Sequence, residues 1–248
     1  MGPGELEVWR NHFEHHARHR RRIPRGLSDV LRADERHLIA SSIATFQLGE
    51  CSEGRTLRRA VEQHARQHQV PHVVRIFDLL IREEQRHARL LGAFMQDHRI
   101  PFKKTDWTDR VFRLIRRPAG LQLYLSVLIC AELIGKVYYR ALESATDCRR
   151  LRVVCRAIVA DELAHIGFES QLLFALRGAR AAPLRALARP AHRVFFTFTA
   201  AVVWFAHRPV LRRAGLSARS FLCSCLAEYA FYLDPTAADR DLKVSSWR

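Results

Sequence analysis

The chain has 248 residues, of which 48% are apolar, and its formal net charge is +16 at pH 7. The apolar content excludes a wholly disordered chain, because disordered segments are poor in apolar residues. The 11 glycines and 9 prolines are few for a fold rich in turns, so the composition favours an all-α protein. The charge allows nucleic acid, anionic lipid or an anionic substrate as a partner, and it selects none of them.

Neither a signal peptide nor a membrane-spanning segment is predicted. The N-terminal residues are polar, and the longest apolar run, residues 194–206, is shorter than the roughly 20 residues that cross a bilayer. The six cysteines form no CxxC motif and lie mostly within apolar helical pattern, so we expect reduced, buried thiols. These features predict a cytoplasmic protein, with the surface of the inner membrane as an alternative location.

Residues 1–33 are predicted to form a basic, flexible arm. They contain a cluster of histidines and an arginine run at residues 20–22. The histidines could bind a metal ion, but the neighbouring arginines would repel it. We therefore interpret this segment as an arm outside the folded domain.

Residues 34–178 contain four long patterns in which apolar residues recur at the three- and four-residue spacing of one helix face. Helices are predicted over residues 34–67, 71–98, 121–144 and 147–177. Short turns join the first pair and the last pair, whereas residues 98–120 form a long connection with a short helix expected near 106–115. Short, long, short is the connectivity of a ferritin-like four-helix bundle with one crossover.

Residues 179–248 are predicted to form a basic helical extension packed on this bundle. Two helices are expected, over residues 184–206 and 217–233, with a break at residues 207–215. Arginines flank the apolar run of the first helix, so contact with an anionic membrane surface is an alternative to packing. The basic extension is also the candidate surface for nucleic acid.

Each of the four predicted bundle helices carries a glutamate four residues after an apolar residue of its stripe. A glutamate is rarely buried unless it is paired with a positive charge or bound to a metal ion. Four of them, one on each helix, need a shared positive charge in the core. These residues are Glu50, Glu84, Glu132 and Glu162.

Two of these glutamates begin an ExxH motif, with His87 three residues after Glu84 and His165 three residues after Glu162. Residues i and i+3 share a helix face, so both side chains can bind one ion. A single ExxH motif is weak evidence, and the specific signal is the order Glu, ExxH, Glu, ExxH. The six residues therefore predict a dimetal carboxylate site in a bundle core. Oxygen and imidazole ligands suit iron or manganese.

Asp161 and Glu83 are predicted to hydrogen-bond to the two histidine ligands of this site. Each precedes the ligand glutamate of its own motif, and a metal-bound histidine usually donates its second N–H to a carboxylate. We expect Asp161 to contact His87 and Glu83 to contact His165, each across to the opposite hairpin. A solvated Glu83 is the alternative.

Three further residues lie near the predicted ligands. Tyr139 is either an oxidisable side chain beside the metals or a core residue with a hydrogen-bonded hydroxyl. Glu53 and Glu169 are either extra carboxylates of the site or charges at its polar mouth or in solvent. Cys51 and Cys130 are neighbours of ligands in sequence only, so they are not assigned to the site.

The strings FQLGECSEG, EEQRHARLLGAFM and DELAHIGFE resemble those of the ferritin-like di-iron carboxylate superfamily, in particular an uncharacterised bacterial group with a ferritin-like domain. The resemblance covers about residues 34–177. It implies two iron ions and activation of O2 at the reduced site. The chain lacks the paired CxxC motifs of a rubredoxin module, and its basic extension is not expected in bacterioferritins. The ligands that the resemblance implies are Glu50, Glu84, His87, Glu132, Glu162 and His165.

The resemblance implies a di-iron oxidase or oxygenase that acts with O2 on an unidentified small molecule and draws on an external electron donor. The apolar residues that line the predicted core suggest an apolar substrate. Iron–iron is the expected pair, with manganese–iron and manganese–manganese as alternatives. The competing hypotheses are a ferroxidase or iron-handling protein without an organic substrate, an RNA-directed hydroxylase or nucleic-acid-binding protein, and a bundle with a vestigial site. A homodimer is one expected assembly. The fold alone does not decide among these functions.

Overall fold

The structure is a computed structural model that describes residues 1–19, 31–51, 54–106, 120–179 and 181–234. Within these ranges the chain forms α-helices and no strand, so the all-α prediction is confirmed. The helices are α1 (Pro3–Arg18), α2 (Ala33–Glu50), α3 (Arg55–His68), α4 (His72–Asp97), α5 (Leu121–Ala145), α6 (Arg149–Gly178), α7 (Ala182–Arg213) and α8 (Ala218–Leu233).

The apolar stripes of α2, α4, α5 and α6 face a common core. Helix α5 packs along α6, and α4 packs against α2, α3 and α6. Burial of each large aliphatic side chain contributes about 1.5–3 kcal/mol, so these stripes hold the four helices together. Fully buried residues of the core include Ile39, Ile43, Phe77, Leu80, Leu125, Ile129, Ile158 and Ile166.

The prediction of one helix over residues 34–67 is wrong. Helix α2 ends at Glu50 and α3 begins at Arg55. Gly54 precedes α3 with φ of 65°, a left-handed conformation that favours glycine. A Cβ atom at this position would lie 2.7 Å from Ile81 Cδ1, so the chain and α4 approach closely here. The break therefore leaves Glu50 at the end of α2.

The flexible arm predicted for residues 1–33 is wrong over Pro3–Arg18, which form α1. Leu6, Trp9 and Phe13 share one face of α1 and are buried. Helix α1 packs against α4, and the indole N–H of Trp9 donates to Gln171 Oε1 of α6 at 2.8 Å. The spacing of apolar residues, rather than the charge of this segment, therefore determines that it folds as a packed helix. The arginine run at residues 20–22 lies outside the described residues.

The C-terminal extension packs on the other helices through α7 and α8. Helix α7 contacts α2 and α5, and α8 contacts α5, α6 and α7. Helix α7 continues to Arg213, so the predicted break at residues 207–215 is wrong over most of its length. Val210 and Leu211 are fully buried, and this packing holds the last turns of α7 in place despite Pro209. The short helix expected near residues 106–115 lies outside the described residues from 107 onward.

The six cysteines, all within the described residues, form no disulfide; Cys51 and Cys223 are exposed and the other four are buried. The expectation of buried thiols is therefore wrong for these two residues. Each of them lies outside the apolar face of its helix: Cys51 follows the last residue of α2, and Cys223 is on the exposed side of α8.

Two helices within the described ranges are long and apolar enough to cross a membrane, judged by length and composition alone. In α5, 78% of the most apolar window is buried inside the protein, which is typical of a core helix. In α7 only 39% of the corresponding window is buried. Much of the apolar surface of α7 therefore remains exposed.

Candidate metal centre

The structure brings all six predicted ligands into one buried cluster. Two groups of four residues each have ligand atoms within 4.8 Å of one another, and Glu84 and Glu162 belong to both groups. Either group could hold a metal ion. The first group is Glu50, Glu84, His87 and Glu162, and the second is Glu84, Glu132, Glu162 and His165.

The two histidines have the same orientation relative to the carboxylates, and neither is exposed. His165 Nδ1 lies 3.1 Å from Glu84 Oε1 and 3.5 Å from Glu162 Oε2. His87 Nδ1 lies 3.4 Å from Glu162 Oε1 and 3.8 Å from Glu50 Oε2. Both imidazoles therefore direct Nδ1 toward the carboxylates, as metal-binding side chains would.

Several atoms of the cluster are buried without a hydrogen-bond partner in the described part of the chain. Buried polar atoms are normally hydrogen-bonded, and leaving one unsatisfied costs about 1–3 kcal/mol. A cation among these atoms would satisfy them together, and carboxylate oxygen with imidazole nitrogen is a donor set that iron and manganese accept. The unpartnered atoms are Glu84 Oε1, His87 Nδ1, both oxygens of Glu132, Glu162 Oε2 and His165 Nδ1.

Without a cation, the cluster holds protons. Burial raises the pKa of Glu84 to about 8, and the nearby charges of Glu162 and Glu50 act in the same direction. Burial also raises the pKa of Glu132 well above its usual value. The pKa of Glu162 falls to about 2 despite burial, because the positive charges of the neighbouring His165 and His87 favour its ionised form. Protons on some carboxylates thus reduce the repulsion that a metal ion would otherwise offset.

The two expected hydrogen bonds from the histidines to Asp161 and Glu83 are present. His87 Nε2 lies 2.9 Å from Asp161 Oδ2, and His165 Nε2 lies 2.9 Å from Glu83 Oε2. Glu83 is 1% exposed, so the alternative of a solvated Glu83 is wrong. Because each carboxylate accepts the Nε2 proton of its histidine, Nδ1 is left free to face the cluster.

His16 of α1 contacts both supporting carboxylates, a contact that the sequence analysis did not predict. Its Nδ1 lies 2.8 Å from Glu83 Oε1, and its Nε2 lies 3.4 Å from Asp161 Oδ1. The hydrogen bond to Glu83 raises the pKa of His16. The signal was present in the sequence, since His16 follows Trp9 and Phe13 at the spacing of one helix face.

Tyr139 and Glu169 both lie against the cluster. The hydroxyl of Tyr139 donates to Glu50 Oε1 at 2.6 Å, which agrees with a core tyrosine whose hydroxyl is bonded. Glu169 has no exposed surface, and both of its oxygens lack a hydrogen-bond partner, so the polar-mouth and solvent interpretations are wrong for it. Its position one turn after His165 places it on the buried face of α6. Glu53 lies outside the described residues.

A mostly apolar cavity of about 170 Å³ adjoins the carboxylates. Its walls come mainly from α2, α5 and α7, with one residue each from α4 and α6, so the C-terminal extension forms part of the site. The three exposed residues of its lining are small, namely Gly49, Ala131 and Ala206. They leave an opening between the surface and the candidate ligands. The carboxylates that line the cavity are Glu50, Glu84, Glu132 and Glu162.

Comparison with known proteins identifies no relative. No protein-family model, curated protein or solved structure matches the chain. The geometry of the cluster and of the cavity beside it is therefore the evidence for function.

Proposed function

We propose that the buried cluster binds two iron ions and that the protein is a ferritin-like di-iron oxidase or oxygenase. The observation that carries this proposal is the set of unpartnered buried atoms in the cluster, which belong to five of the six residues of the Glu, ExxH, Glu, ExxH pattern and to Glu169. Side chains that the sequence pattern marks as metal ligands thus leave buried polar atoms without a hydrogen-bond partner among the described residues. A metal centre accounts for both the pattern and the unpartnered atoms.

The grouping of the ligand atoms supports an assignment of residues to each ion. Glu50 and His87 would bind one ion, and Glu132 and His165 would bind the other. Glu84 and Glu162 could contribute to either ion, because they belong to both groups. Four carboxylates balance two divalent cations, which offsets the cost of burying so much negative charge.

The arrangement of helices supports the ferritin-like interpretation. Helices α2, α4, α5 and α6 each contribute one glutamate, and only α4 and α6 add a histidine. The connection from α4 to α5 is long, whereas Thr146–Cys148 alone separate α5 from α6. We assign these four helices to a bundle with one crossover, with α1, α3, α7 and α8 packed around it.

Bound iron would supply the activation of O2 and the transfer of electrons to it. The residues of the chain hold and orient the reacting groups. Asp161 and Glu83 fix the imidazole rings, and Tyr139 holds the carboxylate of Glu50 through its hydroxyl. The cavity would receive an apolar substrate, since most of its lining surface is apolar. Turnover would need an external electron donor.

Consumption of O2 by the protein loaded with ferrous iron under anaerobic conditions tests this function. We expect rapid, stoichiometric O2 uptake and a transient visible absorption in the wild type, and loss of both in Glu132→Ala. Glu143→Ala serves as the matched control, because Glu143 is on the same helix but pairs with Arg156. Absence of O2 uptake by iron-loaded wild type would refute the proposal. Continued uptake with accumulation of many irons per chain would instead indicate iron storage.

A further inference from the structure

Helix α7 presents four large apolar side chains to solvent. Leu187, Val194, Phe198 and Phe205 are 69%, 70%, 68% and 73% exposed. Their spacing of seven, four and seven residues places them within an arc of about 40° on the helix surface, along a length of about 27 Å. We call these four residues the α7 stripe. Large apolar side chains exposed along one helix face are typical of a surface that binds a partner.

The charged residues that flank the α7 stripe along the chain are all positive. Residues 170–227 contain no aspartate or glutamate. Exposed arginines lie near both ends of the stripe and at the start of α8. Two copies of this surface would repel each other, whereas an anionic surface would be attracted. The exposed arginines are Arg189, Arg193, Arg208, Arg212, Arg213 and Arg219.

The opposite face of α7 is fixed to the fold by buried polar contacts. His207 Nδ1 lies 2.8 Å from Ser42 Oγ of α2. His192 Nδ1 lies 2.8 Å from Arg177 Nη2 of α6, and His192 Nε2 lies 2.7 Å from the carbonyl oxygen of Ser126 in α5. Because these groups would lose their partners in a bilayer, α7 is not free to leave the fold and cross a membrane. The stripe is therefore suited to lie along a surface.

We propose that the α7 stripe docks on an anionic membrane, with its four apolar side chains below the lipid headgroups and the arginines at the phosphates. Apolar side chains on one face, flanked by arginines, are the composition of helices that lie in the membrane interface. An RNA would pair with the arginines but would leave the α7 stripe uncovered. The lipid surface matches both features.

This docking also identifies the class of substrate, and that part of the inference rests on the proposed oxidase function. Val202 and Ala206 of α7 line the cavity beside the candidate ligands, and Ala206 directly follows Phe205 of the stripe. The exposed end of the cavity therefore lies next to the docking surface. A hydrocarbon-chain molecule dissolved in the bilayer could enter the cavity without passing through water.

Flotation of the full-length protein with lipid vesicles tests the docking. We expect binding to vesicles of phosphatidylcholine mixed with phosphatidylglycerol, and much weaker binding to phosphatidylcholine alone. Phe198→Ser and Phe205→Ser should each weaken partitioning about tenfold, because each removes a large buried apolar area from the bound state. Arg212→Ala should weaken it about fivefold. Val8→Ser is the control, because Val8 is an exposed apolar residue on α1.

Three results would overturn the docking proposal. The first is that wild type does not bind the mixed vesicles, and the second is that both serine variants bind them as well as wild type does. The third is that the protein forms a dimer in solution that the serine substitutions dissociate. RNA binding that the serine substitutions leave intact while vesicle binding is absent would assign the arginines to nucleic acid. Metal content measured on the same preparations separates this test from that of the proposed function, since the stripe variants should retain the metal content of wild type.

Discussion

His16 Nδ1 lies 2.8 Å from Glu83 Oε1, and the other oxygen of Glu83 lies 2.9 Å from His165 Nε2. The N-terminal helix thus contacts the carboxylate that orients a candidate metal ligand. Burial alone would raise the pKa of Glu83, but the hydrogen bonds from His16 and His165 hold it well below its usual value. Glu83 therefore stays ionised in the core and keeps the imidazole of His165 in place.

Replacement of His16 should weaken metal binding although His16 is not a ligand. Loss of a partner behind a ligand typically costs 10–100-fold in metal affinity, and His16 is one bond further away, so we expect about tenfold for His16→Ala. Competition with a chelator measures the affinity. His15→Ala is the matched control, since His15 is exposed on the same helix. Equal affinities of the two variants would contradict the role of His16.

Removal of the Tyr139 hydroxyl should destabilise the protein more than removal of the Tyr138 hydroxyl. Tyr139 donates to a carboxylate, and such bonds contribute about 1.5–3 kcal/mol. The Tyr138 hydroxyl lies 2.7 Å from the neutral Ser42 Oγ, a bond worth about 0.5–1.5 kcal/mol. Urea unfolding of Tyr139→Phe and Tyr138→Phe compares the two free energies. A larger loss in Tyr138→Phe would argue against a charged acceptor at Glu50.

Metal-free protein should lose stability as the pH rises from about 7 to about 8. In this range folded Glu84, with a pKa of about 8, retains a proton that the unfolded chain has released. His165 acts in the same sense, because its hydrogen bonds to carboxylates raise its pKa well above the usual value despite burial. The folded state binds more protons than the unfolded state, so the unfolding free energy falls with rising pH.

Chemical denaturation at several pH values measures this dependence. The slope should vanish in metal-loaded protein, where cations replace the protons. Burial lowers the pKa of His192 and His207 to about 4, so these two groups make the unfolding free energy rise with pH. They do so only below the ordinary histidine pKa of 6.5. An unfolding free energy that increases between about pH 7 and about pH 8 in metal-free protein would contradict the assignment of protons to the cluster.

Gly54→Ala should destabilise the protein by at least about 1–2 kcal/mol, the cost of a left-handed conformation for a residue with a side chain. The clash of the new Cβ with Ile81 adds to this cost. Thermal unfolding measures the effect. Gly4→Ala is the control, because Gly4 is within α1 and its added Cβ would meet no atom within 4 Å. A neutral effect of Gly54→Ala would show that the break between α2 and α3 tolerates ordinary residues.

The structure brings the six predicted ligands together, because their positions on the helix faces could be predicted from local periodicity. Glu50, Glu84, Glu132 and Glu162 could be placed in the core from their spacing to apolar neighbours, since one face of each helix must be buried. The contacts of Asp161 and Glu83 with the opposite hairpins followed from the same reasoning. Helix geometry therefore suffices to predict that these side chains converge.

The remaining features depend on contacts between distant segments. His16 and the cavity wall from α7 are brought to the site by tertiary packing, which no local period encodes. The sequence left Glu169 as an extra carboxylate of the site or as a charge at its polar mouth or in solvent, and the structure buries it near Glu132. The break at Gly54 was missed because the apolar period continues through it. Packing thus outweighs local polarity at each of these positions.

The amount of iron and manganese bound per chain, measured by elemental analysis after purification from metal-supplemented cells, tests the central claim most directly. The account predicts about two ions per chain in wild type, the number of carboxylate–histidine groups. It predicts clearly fewer in Glu132→Ala and the wild-type amount in Glu143→Ala. Wild-type protein without metal after reconstitution, or Glu132→Ala with its full complement, would contradict the assignment of a metal centre to this cluster.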